Sequence, residues 1–180
     1  LTPHLKERMV QDWEFVCKRN GLYSLPRKTS ARSVLEDFVA TAASRGTFGG
    51  ELLRAPRSAA KTDEFKVTGA EARQFVSGLT AMFETLIGVT LSYEPERLQL
   101  MAAQRQLDAD GSLVKLIDYY GAEHLLRFVY LSPELLAQNA PGLADRDAEV
   151  FARAAQSLGS YLAEREEPFL SLIHIRRCRR

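Results

Sequence analysis

The sequence predicts an all-α fold, an irregular or orthogonal helical bundle. Three observations carry this. Apolar residues recur at helical spacing through most of the 180 residues. No segment shows the two-residue alternation of a half-buried strand. The helical runs differ in length and are separated by unequal, Gly- and Pro-marked connections. An apolar content of 46% with 26% charge is enough to bury one core, so a single domain is the simplest reading.

The organising stretch is Asp118-Tyr-Tyr-Gly-Ala-Glu-His-Leu-Leu-Arg-Phe-Val-Tyr-Leu131. A tight Tyr120-Gly121 turn opens into a helix in which Leu125, Leu126, Phe128, Val129 and Leu131 leave little surface for water. A helix apolar nearly all round is central, packed by others on several sides. It is too short to cross a bilayer, so its cover must be protein.

The other elements are expected to lean on this hub. Leu5, Met9, Val10, Trp13 and Val16 mark a first amphipathic helix of about four turns, with Pro3 near its start and Asn20-Gly21 as a left-handed stop. Leu22 to Pro26 reads as an extended connector whose apolar side chains lie in a groove, since exposing all of them would be unfavourable. Thr29 and Ser30 are N-cap candidates for a second helix with Val34, Leu35, Phe38 and Val39 inward. The pattern is lost over 44–64, a Gly- and Ala-rich loop expected to be mobile.

Thr68-Gly-Ala-Glu71 forms a capping box. It starts a long helix with Phe75, Leu79, Met82, Phe83, Leu86 and Ile87 on one stripe. Pro95 should end that segment by disfavouring helical geometry at Glu94. A helix from Glu96 to about Arg105 follows, then an Asp108-Ala-Asp-Gly111 turn and a short helical piece through Leu113, Leu116, Ile117 and Tyr120. Ser132-Pro133-Glu134 can kink or restart the hub helix. After an Asn139-Ala-Pro-Gly142 turn, a last helix from about Asp145 carries Val150, Phe151, Ala154, Leu158, Tyr161 and Leu162 at core spacing. The domain is placed at 1–170. Residues 171–180 share none of its patterning and read as a disordered or artefactual tail.

Charge and chemistry narrow the function. The net charge is +1, but four arginines lie in the last ten residues, which hold no acid. Without them 20 basic residues face 23 acidic ones, which disfavours phosphate neutralisation by the folded part. The two cysteines, Cys17 and Cys178, form no disulfide framework and suit a reducing compartment. Neither a signal peptide nor a membrane span is evident, and a start at Leu1 close to a helix leads us to expect that sequence upstream has been cut away or was never sequenced. The histidines His4, His124 and His174 are scattered, so no metal site, cofactor loop or catalytic constellation is expected. His124 could be a general base, but a structural role at the start of the hub helix fits better. Arg127, on the same face, suits a buried ion pair better than a ligand contact. Trp13 reads as a core anchor, a groove wall, or both.

The residues also resemble a known family. Leu5, Val10-x-Asp12-Trp13, Leu22-x-x-Leu25-Pro26 and Ser33-Val-Leu-Glu-Asp-Phe38 resemble the opening of the MRG domain, the mortality factor 4-related domain of chromatin-complex subunits. Phe83, Leu86, Gly88, Leu91, Tyr93 and Glu96-Arg97 agree in the middle, and Tyr120-Gly-Ala-x-His-Leu-Leu-Arg127 is the most specific match. Ser160-Tyr-Leu162 and Phe169 also fit. The chain departs from the family after Tyr93, where Glu-Pro-Glu-Arg-Leu98 replaces the usual Phe-Glu-Arg-Pro. The resemblance implies a non-enzymatic adaptor in nuclear histone acetyltransferase or deacetylase complexes. It would take short Phe-x-Leu-Pro segments of partner proteins into a hydrophobic groove, with no cofactor and no membrane. It places Leu1, Met9, Val10 and Trp13 as partner-binding candidates, and Tyr93, His124 and Arg127 beside them because their motifs match. The alternative is a helical nucleic-acid binder using the basic loop and tail.

Overall fold

A computed structural model describes residues 3–45, 69–109, 114–139 and 145–165. Seven α-helices occur among them and no strand. In chain order they are α1 (Pro3–Trp13), α2 (Ala31–Arg45), α3 (Gly69–Leu86), α4 (Arg97–Ala109), α5 (Leu116–Tyr119), α6 (Ala122–Asn139) and α7 (Asp145–Glu164). Two α-helices do not stop cleanly. α1 runs on into a π turn, Glu14–Lys18, and α3 into another, Ile87–Leu91.

The predicted hub is α6. Every residue from Gly121 to Val129 is buried, including the ionisable Glu123, His124 and Arg127. Around it pack Val34, Leu35 and Phe38 of α2, Phe75, Leu79 and Phe83 of α3, and Leu158, Tyr161 and Leu162 of α7. α3 with its π turn is long and apolar enough to cross a membrane by length and composition. Its Phe75, Leu79, Phe83, Ile87 and Leu91 are spent on the core instead, which makes it a core helix.

Polar groups set the ends. Ser30 caps α2, its Oγ accepting the Ser33 amide at 3.2 Å. Glu84 of α3 accepts the first amides of α5, Leu116 and Ile117, each at 3.2 Å. The amide of Arg27 donates to Tyr119 O (2.8 Å) and that of Ala31 to Tyr120 O (2.6 Å), tying the connector and the start of α2 to the turn before α6.

Several expectations change in detail. The first-helix stripe is only half inward: Leu5 and Val16 are buried, Met9 is half-buried, and Val10 and Trp13 are 57% and 44% exposed. The place one heptad after Leu5 and one turn before Val16 belongs to Asp12, which is buried. In the connector Tyr23 is buried and Leu25 half-buried, but Leu22 is 45% exposed, so not all of its apolar side chains lie inside. The stop residue is Asn20 itself, at φ 49°.

Pro95 does not hold Glu94 extended. The break falls earlier, at Ser92 and Tyr93, and Glu94–Glu96 is a single 3-10 turn that accepts Pro95 in its first positions. α4 then extends to Ala109, past the expected Arg105. Pro133 neither ends nor restarts α6, which continues to Asn139. The Val129 carbonyl, deprived of an amide donor by Pro133, accepts Ser132 Oγ at 2.8 Å. The Thr68 end of the capping box, nearly all of the 44–64 loop, the Asp110-Gly111 and Ala140–Gly142 turn residues, Leu113 and the 171–180 tail lie outside the described residues.

Candidate partner-binding surface

On α1 the spacing that buries Leu5 and Asp12 turns Val10 and Trp13 outward, three residues apart and therefore neighbours on the helix surface. Met9, between the two faces, packs against the core edge. The π turn that follows brings Lys18, five residues on, over the Trp13 ring at 5.2 Å. Lys18 also bonds Glu14 at 2.8 Å, which fixes the ammonium above the indole.

Beneath this face lies a buried ionic cluster. The Arg127 guanidinium has five N–H donors. Nε donates to Asp12 Oδ2 (2.7 Å), and Nη2 to Asp12 Oδ1 (2.9 Å) and Glu96 Oε1 (3.2 Å). Nη1 donates to Glu96 Oε2 (2.5 Å) and to the Leu91 carbonyl (2.7 Å). All five donors are thus used, on three different segments. Tyr93 covers the cation, its ring centroid 4.0 Å from the guanidinium carbon. Tyr23 completes Asp12 by donating its hydroxyl to Oδ1 at 2.8 Å.

His124 joins the cluster from the first turn of α6. Its Nε2 is 3.1 Å from Arg127 Nη1, whose two hydrogens are already committed, and 3.4 Å from Glu96 Oε1. The donor count therefore puts the hydrogen on Nε2, directed at Glu96. Burial, and then the Arg127 charge, depress the His124 pKa and keep the ring neutral. Burial alone would raise the Glu96 carboxyl, but the contacts with His124 and Arg127 outweigh it and hold it down to about 2. The Tyr120 ring stands edge-on to the imidazole, with centroids 4.5 Å apart.

The local sequence explains how Glu96 reaches this place. Its Oε2 accepts the Tyr93 amide (2.8 Å) while its own amide donates to the Tyr93 carbonyl (3.0 Å). The 3-10 turn thus carries its carboxylate inward. Next to the cluster Arg27 pairs with Glu123 and lies over the Tyr23 ring. Burial pushes the Glu123 carboxyl up, against the pull of Arg27.

The candidates thus divide in two. Val10 and Trp13 are surface groups, Met9 and Tyr93 are half-buried, and His124 and Arg127 are inside, with no polar atom offered to a partner. Leu1 lies outside the described residues. The sequence reading missed Asp12, Glu96 and Tyr23 as members of the cluster. A signal was present. Asp12 stands in core register between Leu5 and Val16, and Glu96 in core register before Leu100 and Ala103. Among the described residues no group of three or more His, Cys, Asp or Glu side chains is arranged to hold a metal.

Fold and site together define an all-helical domain in which a central helix carries a buried cation that gathers the ends of its neighbours. The chain belongs to the MRG family, whose model matches residues 1–172. It is 33% identical over 138 residues to "Chromatin modification-related protein eaf3" of Aspergillus fumigatus, covering 75% of this chain and 37% of that protein. It is 30% identical over 136 residues to the protein of the same description from Yarrowia lipolytica, covering 74% and 30%. "Mortality factor 4-like protein 1" of Rattus norvegicus is 29% identical over 133 residues, covering 74% and 35%. The chain thus spans about a third of the length of the curated relatives it matches.

Proposed function

We propose that this chain is a non-enzymatic interaction domain of a nuclear chromatin-modifying complex, seating an apolar segment of a partner protein against α1. The observation that carries this is the outward pair Val10 and Trp13, at 57% and 44% exposure, on a helix whose opposite face is anchored in the core. Large apolar side chains on a rigid support are what a short linear segment needs, because such binding concentrates its energy in a few desolvated anchors. The names of the relatives support the chromatin-modification setting; histone acetyltransferase or deacetylase assemblies as the host complexes are what the family resemblance adds to the proposal.

A peptide of the Phe-x-Leu-Pro type is the natural probe. Trp13→Ala is expected to weaken it by about 2 kcal/mol, roughly 30-fold, in titration calorimetry. Val10→Asp should do the same while leaving the thermal midpoint nearly unchanged, since its side chain already faces water. Equal affinity in both folded variants would move the site off α1.

A further inference from the structure

We infer that Arg127 and Tyr23 are positioning residues for the docking turn of α1, holding Asp12 from below and so fixing the direction in which Val10 and Trp13 project. The inference rests on reading that face as the docking surface. Asp12 lies between Val10 and Trp13 in the chain and on the opposite side of the helix, 4% exposed. Both of its carboxylate oxygens are occupied: Oδ2 by Arg127 Nε at 2.7 Å, and Oδ1 by Arg127 Nη2 at 2.9 Å and the Tyr23 hydroxyl at 2.8 Å.

The turn needs such a hold because α1 does not continue as an α-helix beyond Trp13. The π turn Glu14–Lys18 replaces the regular ladder there, and such turns are a local weakness in a helix. The second π turn, Ile87–Leu91, ends on the carbonyl that Arg127 Nη1 binds at 2.7 Å. One guanidinium therefore gathers the irregular ends of α1 and α3 and the 3-10 turn at Glu96 onto the most buried helix of the domain. Arg127 has no freedom of its own, being 1% exposed with all five donors engaged. An anchor held this way is ordered before a partner arrives, so binding need not supply that order.

The test uses the one tryptophan of the chain, Trp13, as a reporter of the docking turn. Tyr23→Phe removes one hydroxyl from Asp12 and keeps the ring that packs on Phe15 at 5.1 Å. Asp12→Asn weakens the same hold from the other side. Ser132→Ala, which removes a buried hydrogen bond inside α6, is the control for a general loss of stability. Acrylamide quenching of Trp13 is expected to rise about twofold in Tyr23→Phe and further in Asp12→Asn, with unchanged far-ultraviolet circular dichroism and no such rise in Ser132→Ala. Affinity for the Phe-x-Leu-Pro peptide should fall about fivefold in Tyr23→Phe, the worth of one net hydrogen bond, although Tyr23 is buried away from the surface.

Unchanged quenching in folded Tyr23→Phe overturns the inference, as does an equal rise in Ser132→Ala. A Tyr23→Phe chain that fails to fold also overturns it, because the hydroxyl would then govern the whole domain rather than one turn. If Trp13→Ala binds the peptide as the parent does, the docking reading falls. The quenching comparison would then still decide whether Arg127 and Tyr23 hold the turn.

Discussion

Arg127→Met puts the buried cluster to its hardest test. The substitution keeps much of the side-chain volume, so its effect is mainly electrostatic. Asp12 and Glu96, 4% and 1% exposed, would face each other with no cation between them. Summing the five lost hydrogen bonds at the value of charged pairs would approach or exceed the whole stability of a domain, and so overshoots. The better measure is the cost of breaking one partner out of a buried ion pair, about 3–5 kcal/mol. Urea titration should therefore show a loss of that size at pH 7.

The pH dependence has a definite sign. In the parent, Glu96 is held down to about 2 against an ordinary 4.5, so its contribution is complete above about 4.5 and is lost as the pH falls towards 2. In the variant the repulsion that Arg127 exerts on His124 is gone while both carboxylates stay beside it. Burial still opposes the charged ring, but with the Arg127 repulsion removed His124 should protonate more readily in the folded variant than in the folded parent. That relative gain grows as the pH falls below about 6.5 and is lost as the pH rises. The deficit of Arg127→Met should narrow between pH 7 and pH 5, and the combination with Asp12→Asn should cost less than the sum of the two. A deficit under about 1 kcal/mol, or one that does not change with pH, would refute a buried, paired guanidinium.

Two further substitutions probe the backbone. A Cβ built on Gly21 would lie 2.2 Å from Phe15 Cε2, so Gly21→Ala must push aside the ring that supports Tyr23. It should lower stability by about 1–3 kcal/mol in urea titration, and a neutral result would show that Phe15 is free to move. Pro133→Ala, at an exposed position inside α6, should raise the thermal midpoint by restoring an amide donor to the Val129 carbonyl. No rise would mean that Ser132 already satisfies that carbonyl.

The fold was legible because its dominant signal is local. The apolar run after Gly121 demands burial wherever it sits, and the stripes of α2, α3 and α7 need only face it. The first helix was harder to read. Its stripe is wider than one buried face, and spacing alone cannot say which edge stays wet. The decision was made by Asp12, a carboxylate in core register, which is stable there only because Arg127 and Tyr23 come from distant parts of the chain. Glu96 has the same cause. Long-range pairing of this kind leaves a mark in the sequence, a charged residue where an apolar one belongs, but the mark names no partner. The break at Ser92 and Tyr93 also lay beyond reach, because the 3-10 turn that admits Pro95 is secured by Glu96 bonding back to Tyr93.

The arrangement of charge also bears on why α1 can present apolar groups at all. An amphipathic helix usually holds its place through its apolar face, which leaves nothing large and apolar for a partner. Here part of that work passes to an ion pair. Asp12 anchors the middle of the helix through Arg127, while Leu5 and Val16 bury its two ends. Val10 and Trp13 are then released from the core without detaching the helix. A buried pair is a weak source of net stability compared with apolar packing, so stability alone does not account for it. Its directional bonds do what packing alone does less well, since they fix the rotation of α1 about its own axis. On this account, replacing Asp12, Glu96 and Arg127 together by Leu, Gln and Met, so that no buried charge is left without its partner, should leave the domain close to its present stability. The same change would leave α1 free to turn about its axis and Trp13 without a fixed direction, and binding rather than stability would register the loss.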